Sequence, residues 1–171
     1  MTLRDEIQGW IAGRLPDGWF TETPEVLVDR EEILVVGRLA DVQLAKDAKA
    51  EATAAARSGR IREFRERTRE ERIAIAQEAQ RKFGRTVSWG ARVGDVIEHF
   101  TTLSLPVMTR LRIKEREILD ALVDSGVARS RSHALAWCVR LVAEHEGEWV
   151  KELKDTMRRL EELRTAGPRP N

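Results

Sequence analysis

Residues 107–142 read VMTRLRIKEREILDALVDSGVARSRSHALAWCVRLV, and this order of signals decides the fold expected of the chain. Over 107–113, Thr109, Leu111 and Ile113 alternate with Met108, Arg110 and Arg112. Period two over that length predicts a half-buried strand. Ile118, Leu119, Leu122 and Val123 then fall on one face of a helix that Gly126 ends. Ser130 opens a second helix, with Leu135, Cys138, Val139 and Val142 on its inward face.

One strand and two helices of this size hide too little apolar surface to fold alone. A lone strand also leaves its backbone donors and acceptors unpaired. Both problems disappear if two copies pair their strands antiparallel over four helices. Met108, Arg110 and Arg112 of each copy then project from one face of a two-stranded ribbon, a shape that fits the DNA major groove.

The order of residues over about 107–143, with its Gly126-x-x-x-Ser130-Arg131-Ser132 junction, resembles the ribbon-helix-helix family of DNA-binding proteins. The resemblance implies a homodimer whose outward strand residues read bases: Arg110, Arg112 and Met108. Members often carry small polar residues on the strand, so the two arginines are the better readers here. The resemblance also implies that the start of the second helix holds a DNA phosphate, at Ser130, Arg131 and Ser132, with Arg129 adding charge. A helix N-terminus presents free N–H groups to an anion, and Ser130 can cap it at the same time.

Working outward, 171 residues suffice for one ordinary domain or two small ones. Apolar residues make up 42% and charged residues 35%, the balance of a globular chain rich in surface helix. The net charge is only +1, so DNA binding must come from local basic patches. No apolar run approaches membrane-spanning length and residues 1–6 are charged, so a cytoplasmic protein is expected, nucleoid-associated when on DNA. A single cysteine excludes an internal disulfide framework. His99, His133 and His145 lack metal-ligand spacing, and Gly90 and Gly94 lack the lysine and hydroxyl of a phosphate loop. No catalytic constellation stands out, so neither enzyme activity, metal nor cofactor is expected.

Upstream, residues 1–100 are expected to form a small α+β domain with a long charged helix. Leu3, Ile7, Trp10, Ile11 and Leu15 set a first amphipathic helix, stopped at Pro16-Asp17-Gly18. Residues 25–39 suggest a β-hairpin turning at Arg30-Glu31-Glu32. Residues 40–83 are nearly all good helix formers, with Ser58-Gly59 the one weak point. Ile61, Phe64, Ile73, Ala76 and Ala79 form its docking stripe, and Gly84 its cap. The seven arginines from Arg57 to Arg72 are interleaved with four glutamates, which suits surface ion pairs, though a second phosphate-contacting patch is open to them. Val87, Trp89, Ala91 and Val93 predict a third strand, and 95–100 a helical turn. This helix-strand-strand-helix-strand order looks like that of BON-type domains, an analogy that assigns no function.

The ribbon-helix-helix unit is expected over 104–143. Trp149, Leu153, Met157, Leu160 and Leu163 predict a C-terminal helix over 144–165 that packs between subunits or domains, and 166–171 read as a tail. The fold class expected is therefore α+β, and the function a sequence-specific DNA-binding homodimer acting as a transcriptional regulator. The partners are double-stranded DNA and a second copy, with further assembly of dimers left open, and no membrane. The alternative is an oligomeric interaction module, or an antitoxin, whose N-terminal domain binds a partner protein.

Overall fold

A computed structural model describes residues 3–45, 49–145 and 147–166, without the side chains of 161 and 164–166. The expected tail beyond 166, and 46–48 of the expected long helix, lie outside the described residues. The chain divides into two compact units, 1–105 and 106–171.

The first unit runs α1 (Leu3–Arg14), β1 (Glu25–Val28), β2 (Glu32–Arg38), α2 (Ala50–Arg67), α3 (Arg69–Phe83), β3 (Thr86–Val93) and β4 (Val96–His99). The four strands form one sheet in sequence order. β1 and β2 make the expected hairpin, pairing Val26 with Val35 and Val28 with Ile33. Its turn needs no glycine because the Asp29 carboxylate accepts the N–H groups of Glu31 and Glu32, at 2.9 and 2.6 Å. Those donors hold the Asp29 carboxyl below its ordinary range. β2 and β3 run parallel, Val35 beside Trp89, and the α2–α3 pair makes the crossover that parallel pairing requires.

Alternate residues of the strands feed one core: Ile33, Val35, Trp89, Ala91 and Val93 meet Ile7 and Ile11 of α1 and Ile61, Phe64 and Ile75 of the crossover helices. Phe64 sits at the centre, its ring 5.5 Å from that of Trp19, 5.4 Å from Phe20 and 6.2 Å from Phe100. Gly37 is required here. A Cβ at that position would fall 2.1 Å from the Phe20 ring.

Several expectations are corrected. The helical stretch begins at Ala50, residues 40–45 being non-helical, and it does not break at Ser58-Gly59; α2 passes through both, since one mid-helix glycine costs only about 1 kcal/mol. It breaks at Thr68 (φ −96°, ψ 8°), whose hydroxyl turns back to the Phe64 carbonyl at 2.7 Å. That shifts the phase of α3, so Ile75 is buried and Ile73 is exposed. Residues 96–99 form a strand instead of a helical turn, because Gly94 (φ 58°) and Asp95 make a two-residue hairpin that pairs Val93 with Val96. The unit is thus helix-strand-strand-helix-helix-strand-strand.

The second unit holds α4 (Ile113–Asp124), α5 (Arg131–His145) and α6 (Gly147–Ala166). Leu119, Ala128 and Ala134 are its buried apolar residues, with Leu111, Leu122, Val123, Leu135 and Cys138 packed around them. Gly126 (φ 77°) turns the chain out of α4, and the Ala128 N–H closes the turn on the Leu122 carbonyl at 2.9 Å. The whole is a mixed α+β protein with a four-stranded sheet and six helices among the described residues.

Candidate nucleic-acid interface

The strand expected over 107–113 is absent from the single chain. Residues 106–112 have no strand pairing, and Ile113 already belongs to α4. The physical reason is the lack of a pairing edge: an isolated extended segment has no partner for its N–H and C=O groups. Its period survives in part. Leu111 packs on the small core, whereas Met108, Arg110 and Arg112 are exposed, Met108 to 97%. Thr109 and Ile113, expected inward, are exposed as well, Ile113 to 65%.

The end of the segment is anchored to the helix that follows. Arg112 is extended (φ −81°, ψ 174°) and caps α4, its backbone N–H donating to the Glu115 carboxylate. The Arg116 guanidinium donates to the Leu111 carbonyl at 2.6 Å. Together these fix where the segment leaves α4 and which way Leu111 faces. The guanidinium groups of Arg110 and Arg112 have no ion-pair partner among the described residues.

The start of α5 has the expected cap. Ser130 Oγ accepts the His133 N–H at 3.2 Å, and the Arg129 N–H donates to His133 Nδ1 at 3.3 Å. The N–H groups of Arg131 and Ser132 find no acceptor among the described residues, and both residues are exposed. Arg131 is not free, which the sequence did not reveal. Its guanidinium grips the Asp120 carboxylate with two bonds, 2.6 and 2.7 Å, and ties α5 to α4. Hydrogen bonding with Arg131 holds the Asp120 carboxyl below its ordinary range, and the same bond raises Arg131. Of the four residues assigned to phosphate, the structure gathers Arg129, Ser130 and Ser132 at one helix start and commits the Arg131 side chain elsewhere.

Much apolar surface of this unit is open. Ile118 is 59% exposed and Val139 64%, with Val142 and Val127 also exposed, though Val139 and Val142 were expected inward. On α6 the expected stripe of Trp149, Leu153, Met157, Leu160 and Leu163 is exposed along its length. In the first unit the arginine run forms the surface pairs its spacing suggested, Arg62–Glu66 at 3.0 Å and Arg67–Glu63 at 2.8 Å. Arg57 reaches across to Asp41 and Asp95. No helix among the described residues is long and apolar enough to cross a membrane, and no group of three or more His, Cys, Asp or Glu among them could hold a metal ion.

Comparison with known proteins follows the two-unit division. Residues 5–99 match the N-terminal domain of Rv1265-like proteins, and residues 112–164 match the Mb1296 C-terminal domain. The uncharacterized proteins Mb1296 of Mycobacterium bovis and Rv1265 of Mycobacterium tuberculosis are each 52% identical to the chain over 159 residues. The match covers 93% of this chain and 69% of each relative. No solved structure matches. With both domains matched in order and half the aligned residues identical, the chain belongs to the Rv1265-like family.

Proposed function

We propose that the protein is a cytoplasmic, homodimeric, sequence-specific DNA-binding regulator whose second unit pairs with that of another copy as a ribbon-helix-helix. The observation that carries the reading is the segment ahead of α4. It is extended at Arg112, unpaired and, apart from Leu111, exposed, and it sits on a unit with three buried apolar residues among those described and a wide apolar surface. Such a unit gains both strand pairing and core from a second copy. Pairing two segments aligns Met108, Arg110 and Arg112 of both chains on one ribbon face, where arginines donate to guanine O6 and N7. The free N–H groups at the start of α5, with Arg129 nearby, supply the phosphate clamp.

The test is footprinting on genomic fragments at two salt concentrations. Arg110→Ala with Arg112→Ala is expected to abolish the specific footprint, with melting temperature and dimer mass unchanged. A double variant that protects the same site with the same affinity ends this reading. Absence of any binding at low salt leaves an interaction module in its place.

A further inference from the structure

The first unit contains an open cleft of about 910 Å³ between the crossover helices and the end of the sheet. Arg62, Arg65, Arg69 and Arg72 line one side of it, and Glu98 and Phe100 the other. Arg62 and Arg65 come from α2 and Arg69 and Arg72 from α3, so the lining draws on both sides of the Thr68 break.

Arg72 is the anomaly. It is only 7% exposed, yet it forms no ion pair among the described residues. Its Nε donates to Thr68 Oγ1 at 3.0 Å, one Nη donates to the Arg65 carbonyl at 2.6 Å, and its Cζ lies over the Phe100 ring, 4.8 Å from the ring centre. These contacts aim the group without neutralising it. Arg65 likewise lies 5.8 Å from the Phe100 ring and pairs with no carboxylate. Burial, then repulsion from Arg65 and Arg69, pushes the Arg72 guanidinium below its ordinary value. A buried charge without a counter-ion is costly to a fold, and an anion from solution relieves that cost.

We infer that this cleft binds a small phosphomonoester dianion through Arg65, Arg69 and Arg72. Charge fixes the class. Arg62 pairs with Glu66 and Arg69 with Glu70, at 3.0 and 2.6 Å on the exposed rim, which leaves Arg65 and Arg72 as the two guanidiniums without a carboxylate partner among the described residues, a match for two negative charges. A phosphomonoester carries about −1.5 to −2 at neutral pH, with three acceptor oxygens for guanidinium forks. The volume exceeds what a phosphate group fills and lies within the range of small-molecule sites, about 300–1,000 Å³. Ile73 offers an exposed apolar surface for the organic part. A Cβ on Gly59, at the cleft wall, would meet nothing within 4 Å, so the space beside it is open. A nucleic-acid backbone is the poorer fit, because Arg72 is only 7% exposed and Glu66 and Glu98 are part of the cleft lining. This site stands apart from the DNA reading of the second unit and does not depend on it.

Calorimetry on the full chain with phenyl phosphate, inorganic phosphate and phenyl sulfate as probes tests the inference. Saturable binding of one equivalent of phenyl phosphate is expected, tighter than the monoanionic sulfate. Arg65→Gln with Arg69→Gln, both exposed positions, should weaken it about tenfold or more without lowering the melting temperature. Arg81→Gln, outside the cleft, should leave it unchanged, and Glu98→Gln should tighten it. Gly59→Leu should weaken phenyl phosphate more than inorganic phosphate. The inference is overturned if the wild-type chain shows no saturable phenyl phosphate binding, or if the double variant binds as well as wild type. It is also overturned if the double variant loses affinity only for a short DNA duplex, which would make the cleft a backbone contact.

Discussion

Ile118→Ala in α4 puts the homodimer to a quantitative test. In the single chain this side chain is 59% exposed. The substitution removes three carbons, each contributing about 0.8 kcal/mol when buried. Scaling by the exposed share leaves roughly 1.4 kcal/mol per protomer that only a partner could contribute. A two-fold interface counts every substitution twice, so the dimer should lose about 2.8 kcal/mol. That corresponds to about a hundredfold rise in the self-association Kd. Alanine is the better helix former, so α4 itself is not weakened by the exchange. Sedimentation equilibrium across a dilution series reads the constant directly, and circular dichroism checks helix content. A Kd that moves by less than about threefold, or a wild-type chain that stays monomeric throughout, refutes the argument that a second copy covers this face.

Two other outcomes follow from the geometry. Phe64→Ala empties the centre of the first unit, where the ring is 1% exposed, and should cost about 3–5 kcal/mol. At about 4–8 °C per kcal/mol for a unit of this size, calorimetry should show its melting fall by more than about 12 °C, and a smaller fall would mean the aromatic cluster is not central to stability. The Asp120 carboxyl is held low by Arg131, so the contribution of this pair is complete above the ordinary aspartate range near about 3.9 and is lost as pH falls through the lowered folded value. Carbon-13 titration of Asp120 should show that depressed midpoint, and Arg131→Gln should return it to the ordinary range; an unmoved midpoint would refute the pairing.

What the sequence made legible depended on whether local pattern or distant contact decided each element. The hairpin, α1 and β3 follow alternation or helical spacing that the core then uses directly. The Gly84 cap was equally readable, since its left-handed backbone (φ 67°) favours glycine. Thr68 was not readable as the break. Threonine is an ordinary helix residue, and only its hydroxyl bond to Phe64 and its contact with Arg72 single it out. β4 did carry a signal, Gly94-Asp95 between Val93 and Val96, which is a two-residue hairpin turn. In the candidate interface, Leu111 inward and Arg110 and Arg112 outward followed from alternation, and the Ser130 cap from its place before a helix. The Asp120–Arg131 clasp joins residues eleven apart across a turn, and the burial of Arg72 depends on Phe100 from a different strand end. Neither has a periodic signature.

The parallel pairing of β2 with β3 bears on how the chain emerges from the ribosome. When Arg38 has been made, one edge of β2 can pair only with a strand that begins at Thr86, beyond both crossover helices. At about 5–20 residues per second, translation of that stretch takes several seconds. Throughout that interval one edge of β2 stays unpaired, with Ile33 and Val35 covered only by α1 and by what the crossover helices supply as they appear, and a two-stranded hairpin is marginal by itself. Premature termination before β3 would therefore release a fragment with an open sheet edge, the kind of edge that pairs with other chains.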